Sequence, residues 1–423
     1  MRVIYSLLIT LCTPLVLLYF LFRGFRDRAY LGHWRQRFGF VAGTDHQGGI
    51  LIHAASVGEY NAARSLIKAL LKTYPELPIT VSTLTPTAAD RVKAELKNKV
   101  FHSYIPIDLP GAVSRFLNRL KPCVIIVMET EIWPNLFLQA QRLNIPLLMA
   151  NARLSENSVK HFNYVSGFIG KVLQSVVWIG AQSNNDANRL IKCGAIQQRT
   201  QLTGNLKFDL DTPANLGEKA IALRSRWNHI RPVLVAGSTH EADEMVVIPA
   251  FVEMLQSLPD ALLILVPRHP ERFARSTHLA KTAGLRTELR SSQGETCSAQ
   301  AQCFVIDSIG ELMTYYACGD VAFVGGSMGG QGGHNALEPA ALGKPVLVGP
   351  NMVNAREIVV QLLESNAARR VNNQQDFRQV VEQLLTDQAL RESMGRAGQA
   401  LIESNKGALY LTLNAVKKLL LTP

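Results

Sequence analysis

Gly48-Gly49-Ile50-Leu51-Ile52-His53-Ala54-Ala55-Ser56-Val57-Gly58-Glu59 runs from a tight entry, through four strand-forming residues, into a turn of small side chains. Ile50 to His53 has the length of a buried strand, and apolar spacing from about Asn61 to Leu71 predicts the helix that follows. The alternation continues outward from there. Strands are predicted at Ile79 to Ser82, Cys123 to Met128, Pro146 to Ala150 and Val176 to Ala181, with a helix beginning near Ala88. Continuous apolar runs of this kind are buried on both faces, the habit of strands in parallel sheets.

From Arg231 the pattern restarts. Pro232 to Ala236, Leu262 to Val266, Cys303 to Ile306, Val321 to Gly325 and Pro345 to Val348 read as strands, with helices around Glu244 to Leu255 and Glu311 to Ala317. Strands alternating with helices in both halves imply an α/β protein of two Rossmann-like, doubly wound domains facing each other across a cleft. The 423 residues suit two cores rather than one. The expected divisions are a membrane anchor over 1–22, a first domain over 23–210, a connection over 211–230, a second domain over 231–408 and a closing helix over 409–423.

Val3 to Phe22 is apolar apart from Thr10 and Thr13, long enough to span a bilayer, although Pro14 also allows a kinked or in-plane anchor. Arg23, Arg26, Arg28, Arg35 and Arg37 follow, against one acid, Asp27, which places the body on the cytoplasmic side. The net charge of +11 favours an anionic partner, either a lipid surface or a phosphorylated substrate. Nucleic acid is a poor fit, because the basic residues are dispersed and no recognition module is visible. The six cysteines are scattered, with no C-x-x-C and no Cys/His cluster, so neither disulfides nor structural zinc are expected. No strand is followed by G-x-x-x-x-G-K-[ST] or G-x-G-x-x-G, which excludes P-loop hydrolases and dinucleotide-dependent oxidoreductases.

Ligands of open α/β sheets bind beyond the carboxyl ends of the strands, and five segments meet that condition. In His53 to Glu59, Glu59 either serves as a general base or complements the dipole of the helix it opens. Met128 to Pro134 carries Glu129 and Glu131, paired acids at a strand end, as catalytic groups or salt-bridged loop acids. Gly204 to Asp209 carries Lys207, a candidate partner for a carboxylate or phosphate; Asp209 and Asp211 also spell D-x-D, a metal-binding pattern common by chance. Val266 to Arg272 places Arg268 directly after a strand, where a guanidinium can grip phosphate. The glycine-rich run Gly325 to Pro339 offers backbone N–H groups to an anion at a helix start, while Asn335 and Glu338 also fit a capping box.

In order along the chain, Arg35 to Gly39, His53 to Glu59, Met128 to Pro134, Asn151 to Ser155, Leu206 to Asp209, Pro267 to Arg272, Ser308 to Leu312 and Gly332 to Ala340 resemble the bacterial Kdo transferases, which add 3-deoxy-D-manno-octulosonic acid (Kdo) to the lipid A precursor. The resemblance runs nearly end to end; Gln36 departs from it, standing where the family usually has Glu. It implies an inverting glycosyltransferase of GT-B architecture at the cytoplasmic face of a bacterial inner membrane, with an acceptor-binding first domain and a CMP-Kdo-binding second domain. On that basis Glu59 is the base, and Glu129 and Lys207 stabilise the transition state. Arg268, His269, Ile309, Gly310, Glu311, Asn335, Ala336, Leu337 and Glu338 would hold CMP, with no metal and no cofactor. The partners implied are CMP-Kdo, the lipid A precursor and an anionic membrane surface. Two alternatives compete: a GT-B transferase or epimerase using a UDP-sugar, and a non-catalytic, membrane-tethered binding protein.

Overall fold

The computed structural model describes residues 1–41, 46–210, 213, 215–227 and 230–421. The chain divides into two compact units, Met1–Asp209 with Asn405–Pro423, and Leu210–Ser404. Each is built on a seven-stranded sheet whose neighbouring strands all pair in parallel.

In the first unit the strands are β1 (Ile50–His53), β2 (Ile79–Thr83), β3 (Phe101–Tyr104), β4 (Val124–Met128), β5 (Leu147–Ala152), β6 (Trp178–Ala181) and β7 (Thr200–Leu202). Their order is β3-β2-β1-β4-β5-β6-β7, so the winding reverses between β1 and β4. Successive side chains of one strand enter opposite cores. Ile125 and Val127 join Leu51, Phe116 and Phe137, whereas Val124, Ile126 and Met128 join Ile50, Leu66 and Ile67. Burial on both faces is why these strands read as unbroken apolar runs.

The helix predicted from about Asn61 begins four residues earlier and runs Val57–Thr73. Ser56 is its N-cap and its hydroxyl accepts the Glu59 N–H, so the small-residue turn is the start of the helix itself. The closing helix, Ala408–Leu421, packs on the first unit beside β4, β6 and the Val57–Thr73 helix.

The second unit contains β8 (Val233–Thr239), β9 (Leu262–Pro267), β10 (Thr287–Leu289), β11 (Cys303–Val305), β12 (Val321–Val324), β13 (Val346–Val348) and β14 (Ala368–Arg370). The order β10-β11-β9-β8-β12-β13-β14 again reverses beside its first strand, between β8 and β12. Within the stretch 211–230 lies a helix, Leu216–Arg226, whose Ala220 and Leu223 join Trp227 and Phe304 in one core cluster of this unit.

Before the first sheet, α1 (Arg2–Arg26) carries a row of exposed apolar side chains. It is the one helix among the described residues long and apolar enough to cross a membrane.

Candidate active site

The reversal of strand order opens a crevice at the carboxyl ends of the two strands flanking it. In the first unit those are β1 and β4, and they lead directly into His53 to Glu59 and Met128 to Pro134. Glu59 is buried at the third position of its helix. Its Oε2 accepts the Ala55 N–H at 2.8 Å and its Oε1 the Ser56 hydroxyl at 3.0 Å. Burial pushes the carboxyl up to about 7, the Glu131 and Glu129 charges push the same way, and the two hydrogen bonds pull against them. Capping and raised basicity therefore coexist in one side chain, rather than being alternatives.

Glu129 sits on strained backbone, with φ at +53°, in a region few residues other than glycine adopt. Its N–H is held by the Ala150 carbonyl, and its carboxylate reaches Arg153 Nε at 3.1 Å and Lys207 Nζ at 3.5 Å. Strain of this kind persists only where surrounding bonds over-determine the conformation. Lys207 is delivered by a short turn, Leu206–Phe208, and two asparagines fix that turn. Asn151 Oδ1 accepts the Leu206 N–H at 2.9 Å, and Asn205 Oδ1 accepts the Lys207 N–H at 3.0 Å. The fold thus brings Glu129 and Lys207 into direct contact and puts Glu59 within the electrostatic reach of Glu129.

Glu131 has a different set of partners. Trp133 Nε1 donates to its Oε2 at 2.9 Å, and His53 Nε2 lies 3.8 Å from the same oxygen, while His53 Nδ1 meets the Ser82 hydroxyl at 3.0 Å. His53 ends β1 and is fully buried. Its position in the sequence gives no sign of these contacts, because they depend on Ser82 in the neighbouring strand.

In the second unit, Arg268 and His269 follow β9, and the Arg268 N–H donates to the Thr239 carbonyl at 3.0 Å, tying the ends of β8 and β9 together. Ile309 is exposed, Gly310 has φ at +92°, and Glu311 holds Arg290 at 3.1 Å and the Ser308 hydroxyl. Asn335 Nδ2 donates to Glu338 Oε1 at 3.1 Å, and Asn335 Oδ1 accepts the Leu337 N–H. Ala336 and Leu337 are buried, so any ligand would meet their backbone and not their side chains.

The glycine-rich run differs from its expected form. Asp243, fully buried, accepts the N–H groups of Gly326, Ser327 and Met328 at 2.7, 3.2 and 3.0 Å, together with that of His240 at 2.8 Å. A carboxylate withdrawn from water must find donors, and it takes amides that sequence reading left for an anion. The helix after the run, Leu337–Ala341, has only five residues, so the helix-dipole contribution expected there is small.

His240, at the end of β8, was missed in the sequence. Its ring stacks on His334 with centroids 5.2 Å apart and Nε2 atoms 3.0 Å apart, and stands edge-on to His269 at 5.4 Å. Burial pulls the His240 imidazole below its ordinary value. Its position immediately after the central strand of the second sheet was the signal available.

Asp209 caps the Ala408–Leu421 helix, accepting the N–H groups of Gly407 and Leu409 at 2.9 and 2.8 Å, and is thereby committed to structure. Asp211, the other half of D-x-D, lies outside the described residues. Among the described residues no group of three or more His, Cys, Asp or Glu side chains is arranged to hold a metal ion.

Residues 32–210 match the family model described as 3-Deoxy-D-manno-octulosonic-acid transferase (kdotransferase), and residues 249–401 match glycosyl transferases group 1. A 3-deoxy-D-manno-octulosonic acid transferase from Haemophilus influenzae is 39% identical over 98% of this chain and 98% of that one. UDP-GlcNAc 2-epimerase from Neisseria meningitidis covers 88% of this chain and 100% of its own at 15% identity and TM-score 0.55. MurG from Acinetobacter baumannii covers 88% and 99% at 13% identity and TM-score 0.55. These two likenesses concern the fold, which is GT-B. The near end-to-end relative at 39% identity decides the family: the chain belongs to the 3-deoxy-D-manno-octulosonic acid transferases and is a glycosyltransferase.

Proposed function

We propose that this enzyme transfers Kdo from CMP-Kdo to a hydroxyl of the lipid A precursor, with inversion, at the cytoplasmic face of a bacterial inner membrane. The observation that carries the chemistry is a buried carboxyl at Glu59, raised to about 7, beside the strained Glu129 and its partner Lys207. A base of that strength is ionised in part at neutral pH and still takes a proton readily.

On this reading the Glu59 carboxylate removes the proton of the acceptor hydroxyl as its oxygen bonds to the anomeric carbon. The bond from that carbon to the phosphate oxygen breaks, and CMP leaves with the electron pair. Lys207, held by Glu129, supplies positive charge where negative charge develops. Arg268 and His269 would grip the phosphate, and Ile309, Gly310 and Glu311 would flank the nucleotide. Asn335, Ala336, Leu337 and Glu338 would complete the CMP site, with Glu338 oriented by Asn335 toward a ribose diol. A monophosphate leaving group can be neutralised by the Arg268 guanidinium. Attachment through α1 would hold the enzyme where an acylated acceptor lies.

The test is incubation of purified protein with CMP-Kdo and lipid A precursor, followed by mass spectrometry of the lipid. The expected product is heavier by one or more Kdo units. Turnover of a UDP-sugar, with none from CMP-Kdo, would overturn the donor assignment.

A further inference from the structure

We propose that α1 is an in-plane anchor, lying along the first unit at the bilayer surface with Ile4, Leu7, Leu11, Leu15, Leu18 and Phe22 in the acyl region, and that it does not cross the membrane. The inference deepens the proposed membrane attachment and rests on it.

Both ends of α1 are fastened to the same folded body. At its start, the Arg2 guanidinium donates to Asn135 Oδ1 at 3.2 Å and the Ser6 hydroxyl donates to the same oxygen at 3.2 Å. The Tyr5 hydroxyl donates to Asp108 Oδ2 at 2.9 Å, and its ring lies 5.6 Å from that of Phe168. Asp108 and Asn135 are interior groups of the first unit: Asp108 also accepts the N–H groups of Asn135 and Leu136, which open the helix Pro134–Arg142. At the other end Phe20 is buried against Tyr30 and Trp34, and the Arg37 guanidinium stands between the Phe20 and Tyr104 rings at 4.3 and 4.5 Å. Tyr104 ends β3 of the same sheet.

From Tyr5 to Phe20 is about 22 Å along a helix that rises about 1.5 Å per residue. A bilayer-crossing helix must use about 30 Å of its length to separate its two ends by the hydrocarbon core. Here the ends are joined by one protein domain on one side. Crossing would require Arg2, Tyr5 and Ser6 to leave Asp108 and Asn135, taking the Tyr5 donor from a buried carboxylate and the Arg2 and Ser6 donors from a buried amide oxygen.

The burial pattern shows which face is left for lipid. Arg2, Tyr5, Ser6, Ile9, Thr13, Val16 and Phe20 are buried or half-buried, at helical spacing. The opposite stripe is exposed, with Leu11 at 77% and Phe25 at 89%. Tyr19, Phe22 and Phe25 lie at its end beside the exposed Arg23, Arg28 and Arg35, the pairing of aromatic rings with cations that suits anionic headgroups.

The experiment uses the full chain in membranes, with a protease site fused ahead of Met1, Cys12→Ser, and the exposed Glu76→Cys as a body reference. Inside-out and right-side-out vesicles are treated with protease and with a membrane-impermeant maleimide. The expected result is cleavage and labelling in the same vesicle orientation. Cleavage only in the opposite orientation from labelling would overturn the in-plane arrangement and leave membrane attachment standing. Recovery of the protein in the soluble fraction would overturn both. Separately, Leu7→Asp with Leu11→Asp and Leu15→Asp should cut co-flotation with phosphatidylethanolamine and phosphatidylglycerol vesicles by about tenfold or more, because apolar burial drives interfacial binding. Unchanged flotation would equally overturn the proposal.

Discussion

Lys207 Nζ lies 3.5 Å from Glu129 Oε1 across 78 positions of chain, and the Glu129 backbone holds a left-handed conformation to make the contact. Neither residue is placed by its own element alone. Asn151 and Asn205 bring the lysine, while Arg153 takes the second carboxylate oxygen.

If that lysine stabilises the transition state, Lys207→Ala should lower kcat about 10²- to 10³-fold, the loss seen when one preorganised electrostatic donor is removed. Glu129→Ala should cost a similar factor. The double variant should cost much less than the product of the two, because the residues act as one unit. Steady-state kinetics on folded variants checks this; full multiplicativity would separate the two roles.

Glu59→Gln keeps the shape of the helix start and removes the base, so turnover should fall about 10²- to 10⁴-fold while CMP binding persists. In the unaltered enzyme, kcat/KM should rise with pH through about 7, as the Glu59 carboxyl ionises. Glu131→Gln removes a like charge that raises Glu59 and should move this limb to lower pH. A limb unmoved by Glu131→Gln, or turnover retained in Glu59→Gln, would remove Glu59 from the proposed role.

The same carboxyl has a consequence for stability. Its folded pKa is raised above the unfolded value, so its favourable contribution is complete below about 4.5 and is lost as pH rises through about 7. Glu59→Gln should therefore raise the melting temperature at pH 8 relative to the parent, and change it little near pH 4.5. Thermal scans at both pH values distinguish this from a uniform capping loss, which would cost about 1 kcal/mol at either.

Asp243→Ala should detach the glycine-rich run, since four backbone N–H groups lose their shared acceptor inside the protein. A loss of about 3 kcal/mol or more is expected, from stranded buried donors. Asp243→Asn, which retains one acceptor oxygen, should lose less. Isothermal titration should show CMP affinity falling with stability in both variants; affinity unchanged in folded Asp243→Ala would detach the run from donor binding.

Gln36, where the resemblance leads one to expect Glu, makes a contact needing only an acceptor: its Oε1 receives the Tyr104 N–H at 3.0 Å. Gln36→Glu should thus leave stability within about 0.5 kcal/mol, as for substitutions that keep their interactions. A drop in melting temperature of many degrees would show that the Gln36 amide Nε2 donor matters as well.

The amino-acid sequence alone determined ten of the central and flanking strands, because a strand buried on both faces must be apolar along its whole length, as Val124 to Met128 is. The strands it left unread are β3, β7, β10 and β14, and each is the outermost member of its sheet. An edge strand is paired on one side only, so Phe101–Tyr104, Thr200–Leu202, Thr287–Leu289 and Ala368–Arg370 tolerate His102, Gln201, Glu288 and Arg369 and lose the continuous apolar signature. Motifs at strand ends were legible for a related reason: Glu129 and Arg268 stand directly after strands that declare themselves, and Glu59 lies in the helix start that follows β1. Tertiary structure alone decided which polar groups spend themselves on one another. Asp243 claims the glycine-run amides, Asp209 caps a helix about 200 positions away, and Asp108 ties down Tyr5 of α1. A buried carboxylate must satisfy its oxygens with whatever donors folding brings near, and those donors come from distant parts of the chain.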